Sequence, residues 1–284
     1  QLREKELGRA ARKHPDSMTA YDLTLQAMDL SYRLDRVSLE TAVNLLEQAC
    51  VLDPGYAPAY SHLALSRLWQ IGQGWSREEW VDQDRVVAAA RKAVERDRND
   101  ALGLAIYGHQ LSYLTKDYRA GQASLDRAIA AGPSCAWAWA LNGLTYGYIG
   151  DTATAVTRTE HAVRLSPVGA DAFWFEHFLS QSYYLAGRYE DSVAWGKMSA
   201  AHAGANTSNL RCLIASLVAA GEMDEARTAA QRHMQLVPSF SLAAFQQRTP
   251  LNGDVRALFA QRLQQAGIPS LGPIDGAIQG KFQE

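Results

Sequence analysis

The chain has 284 residues, 47% hydrophobic and 20% charged, with 28 Lys and Arg against 30 Asp and Glu for a net charge of −2. A near-neutral balance with no cluster of Lys and Arg argues against a general nucleic-acid surface, and no run of about 18 apolar residues is present to cross a bilayer. Cys50, Cys135 and Cys212 are odd in number and none has a second cysteine two to four residues away, so reduced, partly buried thiols are expected rather than disulfides or a zinc site.

Residues 1–18 open with QLREKELGRAARK, charged and helix-favouring. They read as a linker helix arriving from an upstream domain, interrupted by HPDS. The start at Gln1, with no signal-peptide pattern, leads us to expect a fragment of something longer. A first helix pair is predicted over 19–33 and 38–51, joined by a longer turn, with Ser38 as N-cap and Leu39, Val43 and Leu46 facing inward. In a second pair, helix 57–70 is followed by QIGQGWSREEW before helix 83–97. Trp75 and Trp80 flank SREE there, and Ser76 and Glu79 have capping-box spacing. Such insertions often carry function, so both tryptophans are candidate contacts; the plainer alternative is that they cover an edge of the array.

Four more pairs are predicted over 101–131, 135–166, 170–203 and 207–237. Residues 252–266 then read as a final helix with the stripe Val255, Leu258, Phe259 and Leu263, capped by Asn252 or Asp254 and closing the open end of the stack. Residues 268–284 carry Pro269, Pro273 and three glycines and are expected to be irregular.

These pairs share one pattern. The closing turns LLEQACVLDP, LDRAIAAGP, TEHAVRLSP and AQRHMQLVP repeat it, and the helix-ending residues Pro54, Arg98, Pro133, Pro167, Gly204 and Pro238 are spaced by 44, 35, 34, 37 and 34 residues. A modal period of 34 is that of the tetratricopeptide repeat (TPR). Small residues recur where paired helices must approach, as at Gly143, Ala155 and Ala162, then Ala226 and Ala230. Glycine punctuates the turns within pairs (IGD at 149–151, AGRYED at 186–191, AGEMDE at 220–225). The predicted fold is all-α: a right-handed TPR-type α-α superhelix over residues 19–267, of about six helix pairs plus a C-terminal capping helix.

The order ARKHPDSMTAYDLTLQAM, LLEQACVLDPGYAPAYSHLA, QGWS, AGRYEDSVAWGKMS and LVAAGEMDEARTAAQRHMQLVPSF resembles the C-terminal TPR region of bacterial multidomain signalling proteins. The N-terminal part of those proteins is a class III adenylate/guanylate cyclase or a winged-helix DNA-binding domain. The resemblance spans about residues 9–268, with Arg98 and Gly204 standing where proline or another turn-former is usual. It implies a regulatory module whose output domain lies upstream, in the cytoplasm. This chain itself has no metal-binding aspartate pair of a cyclase core, no phosphate loop and no basic recognition helix.

The sequence holds little recognisable catalytic chemistry. The histidines at 14, 62, 109, 161, 177, 202 and 233 include no pair at i, i+4 spacing, and HExxH and GxSxG are missing. Glu160 beside His161 and Glu176 beside His177 are neighbours in sequence and point in different directions on a helix. No catalytic residue, metal or cofactor is expected.

In a TPR array the first helix of each pair lines the concave groove. That register selects His109, Tyr113, Trp137, Tyr148, Trp174, His177, Gln181, Tyr184 and Arg211, whereas Trp139, Tyr107, Tyr146 and Tyr183 fall at sites within repeats. The set is aromatic and nearly uncharged, which disfavours a clamp for a peptide carboxylate. It suits an apolar or amphipathic peptide, or a small ligand stacked on Trp137 and Trp174; aromatics at helical spacing are also common as plain core. The expected function is a noncatalytic module that binds a peptide, a partner protein or its own upstream domain in the groove. The alternatives are a small-molecule sensor acting on a fused output domain, and a homodimerisation element. Trp174→Ala and Arg211→Ala are expected to impair binding and leave helical content intact.

Overall fold

The computed structural model describes residues 18–76 and 79–270, the side chains of 79 and 80 excepted. The linker helix before Met18, any capping pair through Glu79, any contact by the Trp80 side chain, and the tail after Ser270 lie outside the described residues. Within them are 14 helices and no strand. The first six pairs are α1 (Ala20–Tyr32) with α2 (Arg36–Leu52), α3 (Ala57–Gln73) with α4 (Glu79–Arg96), α5 (Ala101–Tyr113) with α6 (Tyr118–Ala131), α7 (Ala136–Tyr148) with α8 (Thr152–Leu165), α9 (Ala172–Leu185) with α10 (Tyr189–His202), and α11 (Thr207–Ala220) with α12 (Met223–Leu236). The short α13 (Leu242–Arg248) and α14 (Gly253–Gln265) follow.

Local chemistry sets the boundaries. Thr19 and Asp22 form a reciprocal capping box at α1. Carboxylates of Asp35, Asp117 and Asp151 accept from backbone N–H groups three residues on, at 2.9, 3.0 and 3.1 Å, satisfying donors that a helix start leaves open. Within the later pairs the chain turns on Gly150, Gly187 and Gly221 at φ of 91°, 73° and 85°, where glycine avoids a Cβ clash. Elsewhere Lys116 (φ 59°) and Leu34 (φ 50°) make the same turn. Leu34 is 2% exposed, and burying its side chain offsets the strain of a left-handed backbone.

Between paired helices the small residues bring backbones together. A Cβ on Gly143 would stand 2.8 Å from Thr159 Cγ2 and 2.9 Å from the carbonyl oxygen of Ala155, so α7 and α8 fit only with hydrogen at that point. Ala155, Ala162, Ala226 and Ala230 are all buried.

Several expectations are corrected. The N-cap of α2 is Asp35, with Ser38 inside the helix as the donor to its carboxylate, and the preceding turn is only residues 33–35, made possible by the left-handed Leu34. Helix α3 runs on to Gln73 and α4 begins at Glu79, so much of the supposed insertion is helix, held by buried Ile71 and Gln73. Trp75 is half-buried against the core. Helix α13, which Ser241 caps, lies outside the elements expected from the repeat. Helix α14, capped by Asn252, buries Phe259, Ala260 and Leu263 but leaves Leu258 42% exposed.

The array curls until its early and late pairs meet. The C-terminal end of α3 touches the N-terminal end of α11: the Gln73 side chain donates to Asn206 Oδ1 (3.1 Å) and accepts from the Thr207 N–H (2.7 Å) and hydroxyl (2.8 Å). Ser208 Oγ and Arg211 Nη2 both donate to the Gly72 carbonyl, at 3.0 and 2.9 Å. Instead of stacking beyond α12, α14 packs against α11 and lays Arg262 on the hydroxyls of Tyr184 and Tyr189, at 2.9 and 3.1 Å. It turns inward onto the concave face and does not extend the end of the stack.

Candidate functional site

Because the array closes, its concave face is an interior. Trp69 of α3, Trp137 of α7 and Trp174 of α9 meet there, with Trp69 stacked on Trp174 at 5.1 Å and 5.7 Å from Trp137. Such contacts contribute through area and quadrupole alignment together. The Trp137 indole is fixed by its N–H donating to Asp171 Oδ2 at 2.9 Å. Next to this cluster His109 lies between Tyr113 and Tyr148, at 5.4 and 6.3 Å.

From the other side the C-terminal segment fills the hollow. Phe245 packs on Phe240 and Phe259, and Phe259 meets the Tyr184 ring edge-on at 5.3 Å. The Arg211 guanidinium lies over both Phe240 and Phe245, at 5.5 and 5.4 Å. Lys116 Nζ and the Tyr118 hydroxyl tether the segment by donating to the carbonyls of Arg248 (2.8 Å) and Pro250 (3.0 Å). What remains open is a cavity of about 110 Å³.

Eight of the nine residues picked from the register line that cavity: His109, Tyr113, Trp137, Tyr148, Trp174, His177, Gln181 and Arg211. The ninth, Tyr184, stands just outside it, against Phe259 and Arg262. They come together as the wall of a small internal space, not as an open groove. Trp139 sits between α7 and α8, half-buried, its N–H on the Pro133 carbonyl and its ring against His161 and Arg158.

The electrostatics are those of a buried site. Burial, assisted by the charge of Lys116, pushes the His109 imidazole down to about 4. Burial and the neighbouring Arg211 push His177 and His233 to about 3. All three are neutral at pH 7. Burial also lifts the Cys212 thiol to about 11 and holds Tyr148 well above the usual phenol range, so neither is a nucleophile at neutral pH. Cys50, Cys135 and Cys212 are free thiols. No cluster of three or more metal-ligating side chains occurs among the described residues, and no described helix is long and apolar enough to cross a membrane.

The sequence reading missed Trp69 and the C-terminal wall. Trp69 was within reach: Trp69, Tyr113, Tyr148 and Tyr184 each stand twelve residues after the first residue of their helix, so carrying the register back by one pair finds it. Phe245, Pro250 and Leu251 lie outside the repeats, and no period announces them; Phe259 falls in the apolar stripe of the last helix, which does not say what that stripe meets.

A scan against protein-family models finds no match, and a search of characterised proteins finds no similar sequence. Solved structures are similar in fold. The Cut9–Hcn1 hetero-tetramer of APC/C superposes over 92% of this chain with a TM-score of 0.60 at 13% identity, and the match spans only 46% of that longer chain. A thermophilic TPR protein of Thermus thermophilus superposes over 71% of this chain and 99% of its own, TM-score 0.53, 17% identity. PilW, a type IV pilus biogenesis factor, superposes over 76% and 92%, TM-score 0.51, 17% identity. With its paired helices, 34-residue spacing and these likenesses, the chain has the TPR-type helical-repeat fold.

Proposed function

We propose that the chain is a noncatalytic interaction and regulatory module whose concave face binds an apolar helical segment carrying aromatic side chains. One observation carries this reading: residues 240–263 of the same chain already occupy that face, with Phe240, Phe245 and Phe259 on the aromatic wall and Arg262 on two tyrosine hydroxyls. Helix-in-groove recognition uses this arrangement of apolar anchors. The near absence of charge on the wall supports a segment of this kind over an acidic peptide. The neutral, buried state of His109, His177 and His233 supports a role without catalysis. A partner segment of the same chemistry, from another protein or from an upstream output domain in a bacterial signalling protein, would compete with the resident helices. Among solved structures of similar fold, the Cut9–Hcn1 assembly is a complex of two proteins.

The test is isothermal titration of a peptide of residues 239–270 into a chain ending at Pro238. Saturable binding at micromolar or lower concentration is expected. A truncated chain that stays helical yet ignores the peptide refutes the reading, and one that unfolds makes the segment plain core. Homodimerisation is the second reading, favoured by Val37 (72% exposed), Val51 (81%) and Leu52 (56%) on α2; light scattering of the intact chain against Val51→Glu decides it.

A further inference from the structure

The cavity beneath α13 and α14 has two properties that plain core lacks. Its walls are mostly ring faces and leucine side chains, including Trp69, Trp174, Phe178 and Leu144, a shape for a flat guest. Yet two wall residues carry ring nitrogens with no hydrogen-bond partner: Trp174 Nε1 and His109 Nδ1. Both residues are 5% exposed or less. Unpaired polar atoms at such depth are costly, and native proteins usually pair them with protein, water or ligand. The indole N–H can only donate, so it calls for an acceptor. Arg211, on the same wall, makes the local field positive and favours an electron-rich guest over a cation.

Size narrows the choice. A dry cavity of about 150 Å³ accepts benzene, so about 110 Å³ admits a single ring with a small yielding of half-buried Tyr113, and no fused bicycle. We propose that this cavity is a binding site for a small, uncharged, single-ring aromatic or heteroaromatic molecule bearing one hydrogen-bond acceptor, which Trp174 Nε1 satisfies. The proposal goes beyond the interaction reading and does not depend on it. Phe245, Leu251 and Phe259 form one wall, so an occupant touches the repeat array and the C-terminal segment at once. Occupancy therefore holds that segment in place.

Pyridine and benzene have the same shape and differ by one acceptor, which makes them the probes. Each is titrated into the intact chain at pH 7.5, with ligand-observed saturation-transfer NMR for affinity and hydrogen exchange of α13 and α14 as a second readout. Pyridine should bind about tenfold tighter than benzene and slow exchange in both helices. In Trp174→Phe, which keeps a ring and removes the donor, pyridine should lose that advantage. Leu144→Phe fills the space and should weaken both probes. Binding of neither probe to the intact chain means that water alone occupies the space and overturns the site. Equal binding of both probes overturns the acceptor requirement, and a pyridine preference that survives Trp174→Phe overturns the role of the indole. Unchanged exchange in α13 and α14 at saturation overturns the coupling to the C-terminal segment.

Discussion

Replacing Gln73 with alanine tests whether the contact between α3 and α11 holds the array closed. The wild-type amide makes three side-chain hydrogen bonds: one to Asn206 Oδ1 and two from Thr207. Two of the groups keep other partners in the variant, since Asn206 Oδ1 still accepts from the Asn209 N–H at 3.2 Å and the Thr207 hydroxyl still donates to the Gln73 carbonyl at 3.2 Å. The Thr207 N–H alone loses its acceptor inside the protein, which costs about 1–3 kcal/mol. The vacated volume at a fully buried position adds about 1–2 kcal/mol. A loss of about 3 kcal/mol is therefore expected, a large share of the 5–15 kcal/mol typical of a folded domain. Ser208→Ala is the graded control, because Arg211 still donates to the Gly72 carbonyl; it should cost no more than about 1 kcal/mol. Urea unfolding measures both, and hydrogen exchange reads the Thr207 amide directly. If Gln73→Ala unfolds within about 0.5 kcal/mol of wild type and the Thr207 amide stays as slow, the closure does not depend on this contact.

Further expectations concern the core. Gly143→Ala forces a Cβ to within 2.8 Å of Thr159 and 2.9 Å of a backbone carbonyl; calorimetry should show a loss of about 1–3 kcal/mol despite alanine's better helix propensity. Stability should fall with acid. His109, His177 and His233 have folded values depressed to between about 3 and 4 from an ordinary 6.5, so the unfolded chain binds more protons below 6.5. Their contribution is thus complete above about pH 6.5 and is lost as pH falls toward the folded values, at roughly 2 kcal/mol per histidine by pH 5; urea midpoints at pH 7.5 and 5 check it, and His177→Asn should flatten the slope. Trp174→Ala should cost about 3–5 kcal/mol, and Arg211→Ala about 1.5–3 kcal/mol by removing its charged donors to Ser208 and to the Gly72 carbonyl, which Ser208 still serves. Both therefore lower the urea midpoint, where a surface binding residue would leave it unchanged.

Features written in short-range chemistry were legible from the sequence. The six pairs follow from the period, the turn glycines from their left-handed geometry, and the close approach at Gly143 from the absence of a side chain. The register also brought eight chosen residues to one cavity wall, because first helices face inward in any array of this kind. What could not be read is the enclosure of that wall. The Gln73–Thr207 contact joins positions 134 residues apart and depends on the sum of small rotations over several pairs, for which no local residue pattern stands. Helix α13 spans seven residues, too few turns for a period to show. The stripe on α14 predicted an apolar side, but periodicity does not say what that side meets, so Ala260 is buried where Leu258 was expected. The short turn at Leu34 went unseen because a leucine in a left-handed backbone carries no sequence signal of its own.

The meeting of α3 with α11 also bears on how such a chain can change over time. Open repeat arrays lengthen or shorten by whole units, since each unit touches only its neighbours and stability is close to a sum over them. Here α3 has a second set of neighbours far along the chain. Deleting or duplicating one pair between them would shift Gln73 away from Thr207 and leave Trp69 facing the wrong helix. The number of pairs between α3 and α11 is therefore set by geometry, and variation is confined to what lies outside that span: the α1–α2 end, the surface loops, and the residues beyond α14.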